Sequence, residues 1–254
     1  MPRLEDKIAI VTGAASGFGE EISKRFAQEG AAVLVADMDE AGAARVAAEI
    51  AGAGGRAEAC LADVTDDAQV QAMVEAAVTK FGGLDILVNN AGVPQRVGKF
   101  QEVAPETVAK IFQVNVMSWL LTTRAAVPHL VARGGGSIVN TASIAGLRPR
   151  PGAAWYNASK AAACSLTLSM ASELGGQNVR VNALCPVAAE TPLFRDVVGG
   201  EITDADRERF LSGIPLGRLA TPGDVAGAAV YLASDEASFL SGVLLPIDGG
   251  RATL

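Results

Sequence analysis

Tyr156 and Lys160 bracket the run Tyr156-Asn157-Ala158-Ser159-Lys160, and this spacing puts both side chains on one face of a helix. An ordinary tyrosine titrates near pH ~10, too high for a general base at neutral pH, and a neighbouring ammonium together with an oxidised cofactor ring would lower it. Ser143 follows the apolar run 137–140, at the strand end where open parallel sheets place ligands, and its hydroxyl can bond a carbonyl or alkoxide oxygen. Taken alone, each has a plainer reading: an aromatic–lysine pair on a solvated helix face, and a serine in a turn. Together they predict proton transfer at a carbon–oxygen group.

A second constellation lies at the start of the chain. Thr12-Gly13-Ala14-Ala15-Ser16-Gly17-Phe18-Gly19 follows an apolar run and opens a helical pattern. Gly13, Gly17 and Gly19 let the backbone N–H groups of the turn, Ser16 and Phe18 included, approach a pyrophosphate at a helix N-terminus. Asp37 ends the second apolar run roughly 20 residues on, where a carboxylate can accept hydrogen bonds from adenosine ribose hydroxyls. The other reading of Asp37 is an N-cap for the helix that follows. An acid here repels a 2′-phosphate, and neither the turn nor Met38-Asp39-Glu40 holds an Arg or Lys. NAD is therefore expected over NADP.

The elements that position these residues follow from periodicity. Short apolar runs at 7–12, 31–36, 57–62, 84–88, 137–140, 179–184 and 243–247 alternate with helical patterns at 19–29, 40–51, 67–80, 105–132 and 155–174. That alternation predicts an α/β fold, a single-domain Rossmann-like doubly wound parallel sheet with helices on both faces, over residues 1–254. Residues 187–215 break the rhythm with mixed polarity, two short helical patterns, Pro192 and Pro215, and are expected to form a substrate lid.

Taken in order, these motifs resemble the short-chain dehydrogenase/reductase family across essentially the whole chain. Thr12 to Gly19 matches its TGxxxGxG turn and Asn89-Asn90-Ala91-Gly92 its NNAG segment. Asp63-Val64 is similar to the pair that contacts adenine, Ser143 with Tyr156 and Lys160 matches the Ser and YxxxK elements, and Ile247-Asp248-Gly249-Gly250 fits near the end. The resemblance implies that Asn115, inside the long helical pattern, supports a water-linked proton relay to Lys160. It implies that Lys160 also binds the nicotinamide ribose, and that Thr191 contacts the carboxamide or phosphates. One departure stands out: the family often has Pro-Gly where this chain has Pro186-Val187, the turn that binds the carboxamide through backbone groups. Tetramers are usual in the family, so a homotetramer packed through the two long helices is expected.

The bulk composition excludes other classes. Half of the 254 residues are apolar, which provides for one large core, and a formal charge of −7 disfavours nucleic acid and anionic membranes as partners. Cys60, Cys164 and Cys185 are odd in number and lack CxxC spacing, so no disulfide framework and no metal site is expected. No apolar run reaches the ~18 residues of a membrane span and the first residues have no signal-peptide pattern, giving a cytoplasmic expectation.

The expected activity is oxidation of a cyclic, aryl or sugar-like secondary alcohol to the ketone by an NAD-dependent enzyme, and the reverse. Tyr156 removes the alcohol proton, Ser143 holds the substrate oxygen, and hydride passes to the nicotinamide. A 3-oxoacyl thioester reductase shares the motif set but commonly keeps a basic residue near the cofactor turn; a non-catalytic dinucleotide-binding subunit would usually have a broken Tyr/Lys/Ser set. Among other residues, His129 reads as surface or packing, Trp155 as core or pocket wall, and Leu193 and Phe194 as substrate-facing behind Glu190 and Pro192. Arg148 and Arg150 read either as anion-gripping groups or as solvated or intersubunit arginines.

Overall fold

The computed structural model describes residues 2–253. Seven strands, β1 (Ile8–Thr12), β2 (Ala32–Asp37), β3 (Arg56–Leu61), β4 (Ile86–Asn89), β5 (Gly136–Thr141), β6 (Val179–Pro186) and β7 (Leu244–Ile247), form one parallel sheet in the order β3-β2-β1-β4-β5-β6-β7. The chain winds outward from β1 to β3, returns across β1 to β4, and winds outward again. Its order therefore reverses between β1 and β4, which opens a crevice at the carboxyl ends of those strands.

Both faces of each central strand are buried, which is why the strands read as continuous apolar runs. Ala9 and Val11 of β1 pack with Ile22 and Phe26 of α1 (Gly17–Gln28), Val46 and Ile50 of α2 (Glu40–Gly52) and Val225 and Val230 near the chain's C-terminal end. Ile10 points the other way, into Met73 and Val74 of α3 (Asp67–Phe81) and Leu130.

Two helical features depart from the sequence reading. The pattern at 105–132 is not one helix: α4 (Pro105–Phe112) passes through a π-helical turn, Gln113–Met117, into α5 (Ser118–Ala132). Pro128, the residue that would be expected to interrupt it, lies inside α5 without ending it. The widening falls instead at Asn115, whose amide bonds the chain after β4, and such turns recur at functional sites. Helix α10 (Pro222–Ala233) escaped the periodicity reading altogether, although Thr221 and Asp224 form a capping box at its start. Short α6 (Ile144–Leu147) precedes the long α7 (Ala154–Leu174), and α8 (Pro192–Val198) and α9 (Asp204–Leu211) are the two short helices of the 187–215 segment. Among the described residues no helix is long and apolar enough to cross a membrane.

A buried polar layer lies beneath the crevice. Asn89 donates to Asn140 (2.9 Å) and accepts from Thr122 (2.7 Å), and Asn140 donates to Thr167 (3.1 Å), which ties β4, β5, α5 and α7 together. Every member is at least 98% buried, so each bond matters twice, as a contact and as relief of an otherwise stranded polar group. Replacing Asn89 by the similarly sized leucine is expected to destabilise the protein by about 2–3 kcal/mol, because Thr122 and Asn140 both lose a partner in a dry interior. Urea unfolding should report this as a lower midpoint at unchanged slope.

Candidate active site

One cavity of about 950 Å³ runs along the carboxyl edge of the sheet from Asp37 to Phe210. Its floor is the glycine turn. Gly13 has φ +62, and a side chain there would sit 2.8 Å from the Ala91 Cα; at Gly19 a Cβ would collide with the Gly13 carbonyl. Asn90 clasps the turn by donating to the carbonyls of Thr12 (2.9 Å) and Gly13 (3.0 Å), while the Thr12 hydroxyl accepts from the N–H groups of Asn90 and Ala91. Ser16 is the N-cap of α1 but makes no side-chain cap bond, so the first N–H groups of the helix open toward a cavity lined by Gly13, Ser16, Gly17 and Phe18. Such a cradle suits a diphosphate: backbone donors, the positive end of a helix dipole, and space that only glycine leaves.

Asp37 accepts from the N–H groups of Ala15 and Asp39, both at 2.9 Å, and so fastens the turn to the end of β2. It is not the helix cap; Asp39 takes that role, accepting from Gly42. Met38 is 65% exposed beside it. On the opposite wall Asp63 folds its carboxylate onto Thr65 (2.7 Å), and Val64 is buried. These four residues line one end of the cavity, the size and place an adenosine requires. The sequence reading overlooked Arg45, which reaches back to donate to the Ala15 carbonyl (2.9 Å); its guanidinium is paired with Glu20 and Glu49, both at 2.8 Å. A basic group thus stands at the turn already neutralised.

The reacting groups come together at the middle of the cavity. Tyr156 opens partly to it, and Ser143, Tyr156 and Lys160 line the same cavity. Ser143 is 92% buried, caps α6 by accepting from Ala145 (3.1 Å), and faces the Pro186 carbonyl at 3.4 Å. Lys160 is 96% buried with its ammonium 2.8 Å from the Thr141 carbonyl and 5.8 Å from the centre of the Tyr156 ring. The expected depression of the tyrosine by the lysine is absent from the polypeptide itself. Burial pushes Tyr156 up to about 12 against the opposing bond from Ser143, and burial pulls Lys160 down to about 8. The physical reason is that the ammonium is turned to Thr141 and both groups are crowded, so desolvation outweighs attraction.

Asn115 is fully buried and its amide is committed: Oδ1 accepts from Val93 N (2.8 Å), and Nδ2 donates to Val93 O (2.9 Å) and Ser159 (3.1 Å). It pins the segment after Gly92 to α7. Gln95, another residue that the sequence reading passed over, accepts at Oε1 from the N–H groups of Trp155 (2.9 Å) and Tyr156 (3.1 Å), holding the first turn of α7. Its only sequence signal is a polar residue next to Pro94, beside the NNAG segment.

The far wall carries Pro186, Val187, Ala188, Ala189 and Thr191. Val187 is buried and its N–H already donates to the Ile247 carbonyl (3.1 Å). Thr191 stands over the phosphate turn, its Cβ 3.5 Å from where a Gly17 side chain would begin. Leu193 and Phe194 line the cavity as expected, whereas Glu190 turns away to Arg207 (2.8 Å). Trp155 is neither core nor pocket wall: half-buried, it donates to the Phe100 carbonyl (3.2 Å). His129 sits 4.0 Å from Glu75 on the surface of α5, and all three cysteines are free. Arg148 and Arg150 both reach the cavity.

Comparison with known proteins agrees with this geometry. Residues 13–252 match a family described as enoyl-(acyl carrier protein) reductase. Similar curated proteins include 4-formylbenzenesulfonate dehydrogenase of Comamonas testosteroni, 49% identical over 98% of each chain. They also include 2,5-dichloro-2,5-cyclohexadiene-1,4-diol dehydrogenase of Sphingobium indicum, 43% identical over 98% of this chain and 97% of its own. Among solved structures, 3-ketoacyl-(acyl-carrier-protein) reductase of Brucella melitensis, in complex with NADH, is 47% identical and superposes with a TM-score of 0.91 over 98% of this chain and 99% of that one. The chain belongs to the short-chain dehydrogenase/reductase family. It is an oxidoreductase acting on CH–OH groups with a nicotinamide dinucleotide.

Lys160 offers a test that separates function from stability. In the folded protein it is charged only below about pH 8, whereas the unfolded chain binds that proton below the ordinary 10.5. The cost of burying the charge is therefore present in full below pH 8 and disappears as pH rises toward 10.5. Lys160→Met should abolish turnover yet raise the denaturation midpoint at pH 7, with the advantage over the unsubstituted protein shrinking as pH climbs through that window. A variant less stable at pH 7 would mean that the ammonium is better satisfied than its one carbonyl partner indicates.

Proposed function

We propose that the protein is an NAD-dependent dehydrogenase interconverting a secondary alcohol on a cyclic, aryl or sugar-like framework with its ketone. The observation that carries this reading is that Ser143, Tyr156 and Lys160 line one cavity together with the glycine turn. Tyr156 takes the alcohol proton at its phenolate oxygen. Ser143 donates to the substrate oxygen as it becomes a carbonyl. Lys160 steadies the tyrosinate and reaches a ribose hydroxyl, and Asn115 keeps the connection toward solvent in place. The bound dinucleotide supplies the hydride acceptor. Gly13, Ser16, Gly17, Phe18, Gly19, Asn90, Ala91, Gly92 and Thr191 hold its phosphates and nicotinamide half, and Asp37, Met38, Asp63 and Val64 its adenosine.

The partly apolar wall of Leu193, Phe194 and Val187 favours a ring over an extended polar chain, and the names of the two curated relatives describe ring-borne substrates. A 3-oxoacyl thioester reductase is the second reading, favoured by the name of the Brucella protein. Against it stand the carboxylate of Asp37 and the neutralised state of Arg45, which together leave a 2′-phosphate without a counter-charge. Residues 187–215 serve as the lid, and exposed Met117, Leu120 and Leu168 on the two long helical segments suit packing against further copies of the chain as a cytoplasmic homotetramer.

Two measurements test the proposal. Tyr156→Phe should lower kcat/KM by about 10²–10⁴-fold with dinucleotide binding, followed by NADH fluorescence, within a few fold; near-normal turnover would end the general-base assignment. For the cofactor, the NAD-to-NADP ratio of kcat/KM should favour NAD and fall at least tenfold in Asp37→Ser. An unchanged ratio would remove Asp37 from cofactor selection.

A further inference from the structure

Arg150 stands in the wall of the substrate end of the cavity, half-buried, and its surroundings are those of a cation awaiting a counter-charge. One Nη donates to the Phe210 carbonyl (3.3 Å), and the guanidinium lies 5.2 Å from the centre of the Phe210 ring. Phe210 in turn meets buried Phe194 edge to face at 4.7 Å, so the arginine is fixed against the two helices of the lid segment. The backbone beneath is fixed as well, because Asn157 donates to the Arg150 carbonyl (2.8 Å) from the helix that carries Tyr156. This is not a solvated loop side chain free to choose its direction.

Three more arginines, Arg148, Arg209 and Arg251, line the same part of the cavity, and Arg251 donates to the Arg148 carbonyl (3.2 Å). Among the described residues no carboxylate lies within ion-pair distance of any of the four, although eleven other arginines or lysines have such partners. Beyond Asp37 and Asp63 at the far end, two acids, Glu106 and Asp196, also line the cavity; both are exposed and neither pairs with the cluster. Burial and the like charges of Arg251 and Arg209 pull Arg150 down to about 10, which leaves it charged at neutral pH. A half-buried guanidinium among its own kind is unfavourable unless an anion completes it.

We infer that the substrate is an organic anion: a ring-borne alcohol or ketone carrying one oxyanion group, carboxylate or sulfonate, which Arg150 binds at the end of the cavity away from the nicotinamide, with Arg148 and Arg209 adding to the local field. This rests on the alcohol–ketone reading above and narrows it. Arg150 thereby acts on substrate choice and plays no part in the proton transfer. The same charges could instead receive the phosphate of a pantetheine arm, the ligand of a thioester reductase, and the choice of probes separates the two.

The experiment compares 1-phenylethanol, 4-(1-hydroxyethyl)benzoate, 4-(1-hydroxyethyl)benzenesulfonate and a 3-hydroxybutyryl thioester of pantetheine phosphate in NAD-dependent oxidation. Calorimetric binding of 4-acetylbenzoate and of acetophenone provides a readout independent of turnover. The benzoate or sulfonate should exceed the neutral alcohol in kcat/KM by about 10- to 150-fold, the range of a charge-assisted hydrogen bond. That ratio and the tighter binding of 4-acetylbenzoate should both collapse in Arg150→Gln and survive in part in Arg150→Lys. Arg195→Gln, in a residue of α8 outside the cavity lining, controls for a general change of charge and should leave the ratio as it was. Equal use of neutral and anionic alcohols, or a ratio that persists in Arg150→Gln, overturns the anion inference while the alcohol–ketone reading stands. Turnover of the thioester alone overturns both.

Discussion

Lys160 keeps an ammonium group in an interior where its hydrogen-bonding partner is a main-chain carbonyl, that of Thr141, and among the described residues no carboxylate pairs with it. Much of the surrounding structure follows from holding it there. Strand β5 must continue to Thr141 so that the carbonyl is delivered at the right height, and α7 must approach closely enough for Lys160 to reach it. The closeness is visible at Gly146, where a Cβ would lie 2.5 Å from the Lys160 carbonyl; only a glycine on α6 lets the catalytic helix dock. A carboxylate would satisfy the ammonium better, but it would also neutralise the field that a tyrosinate needs. The absence of a counter-ion is thus a chemical requirement that the packing has to tolerate.

The same balance explains why burial moves Tyr156 and Lys160 in opposite directions. A crowded site raises the phenol and lowers the amine, so neither is ready on its own account for proton transfer at neutral pH. A positively charged nicotinamide ring above the tyrosine would supply the missing stabilisation of the phenolate. Readiness for the reaction would then depend on the cofactor being in place, an economical way of avoiding a reactive tyrosinate in the free protein. Asn115 and Gln95 serve this arrangement from outside, since one fixes the chain after Gly92 and the other the first turn of α7. Neither touches the reacting atoms: Asn115 is taken up by the Val93 backbone and the Ser159 hydroxyl, while Gln95 accepts from backbone through Oε1 and leaves its buried Nε2 without a partner.

Much of this was legible in the amino-acid sequence because it is local. The strands are continuous apolar runs buried on both faces, the turn at Thr12 to Gly19 declares its geometry through glycine, and the Tyr156–Lys160 spacing is a property of one helix. What escaped depends on contacts between distant segments. The interruption at Asn115 cannot be read from helical propensity, because the amide's partner is the backbone of Val93 on another element. Arg45 lies far along the chain from the turn it touches, so inspection of neighbouring residues found no basic group there. Spacing along a helix fixes the face that a side chain occupies and leaves open where its ammonium turns, so the share of the tyrosine's shift owed to Lys160 was not legible in the sequence. Helix α10 is the exception, since its capping box stood in the sequence; an Ala-rich stretch containing Gly227 weakened the periodicity that should have drawn attention to it.

Charge is distributed unevenly along the cavity, and the two ends solve different problems. The glycine-turn end offers backbone N–H groups and a helix terminus, with Arg45 paired off, so a diphosphate there would meet dipoles and no competing side-chain cation. The opposite end is lined instead by the guanidinium groups of Arg148, Arg150, Arg209 and Arg251. The chain as a whole carries a formal −7, which would repel a small anion at long range. Salt screens that repulsion beyond roughly 8–10 Å, whereas groups inside a low-dielectric cleft are screened far less. A local cluster of arginines can therefore determine what enters the site against the sign of the whole molecule, and an acidic surface with a basic pocket would admit small anions while turning away polyanions.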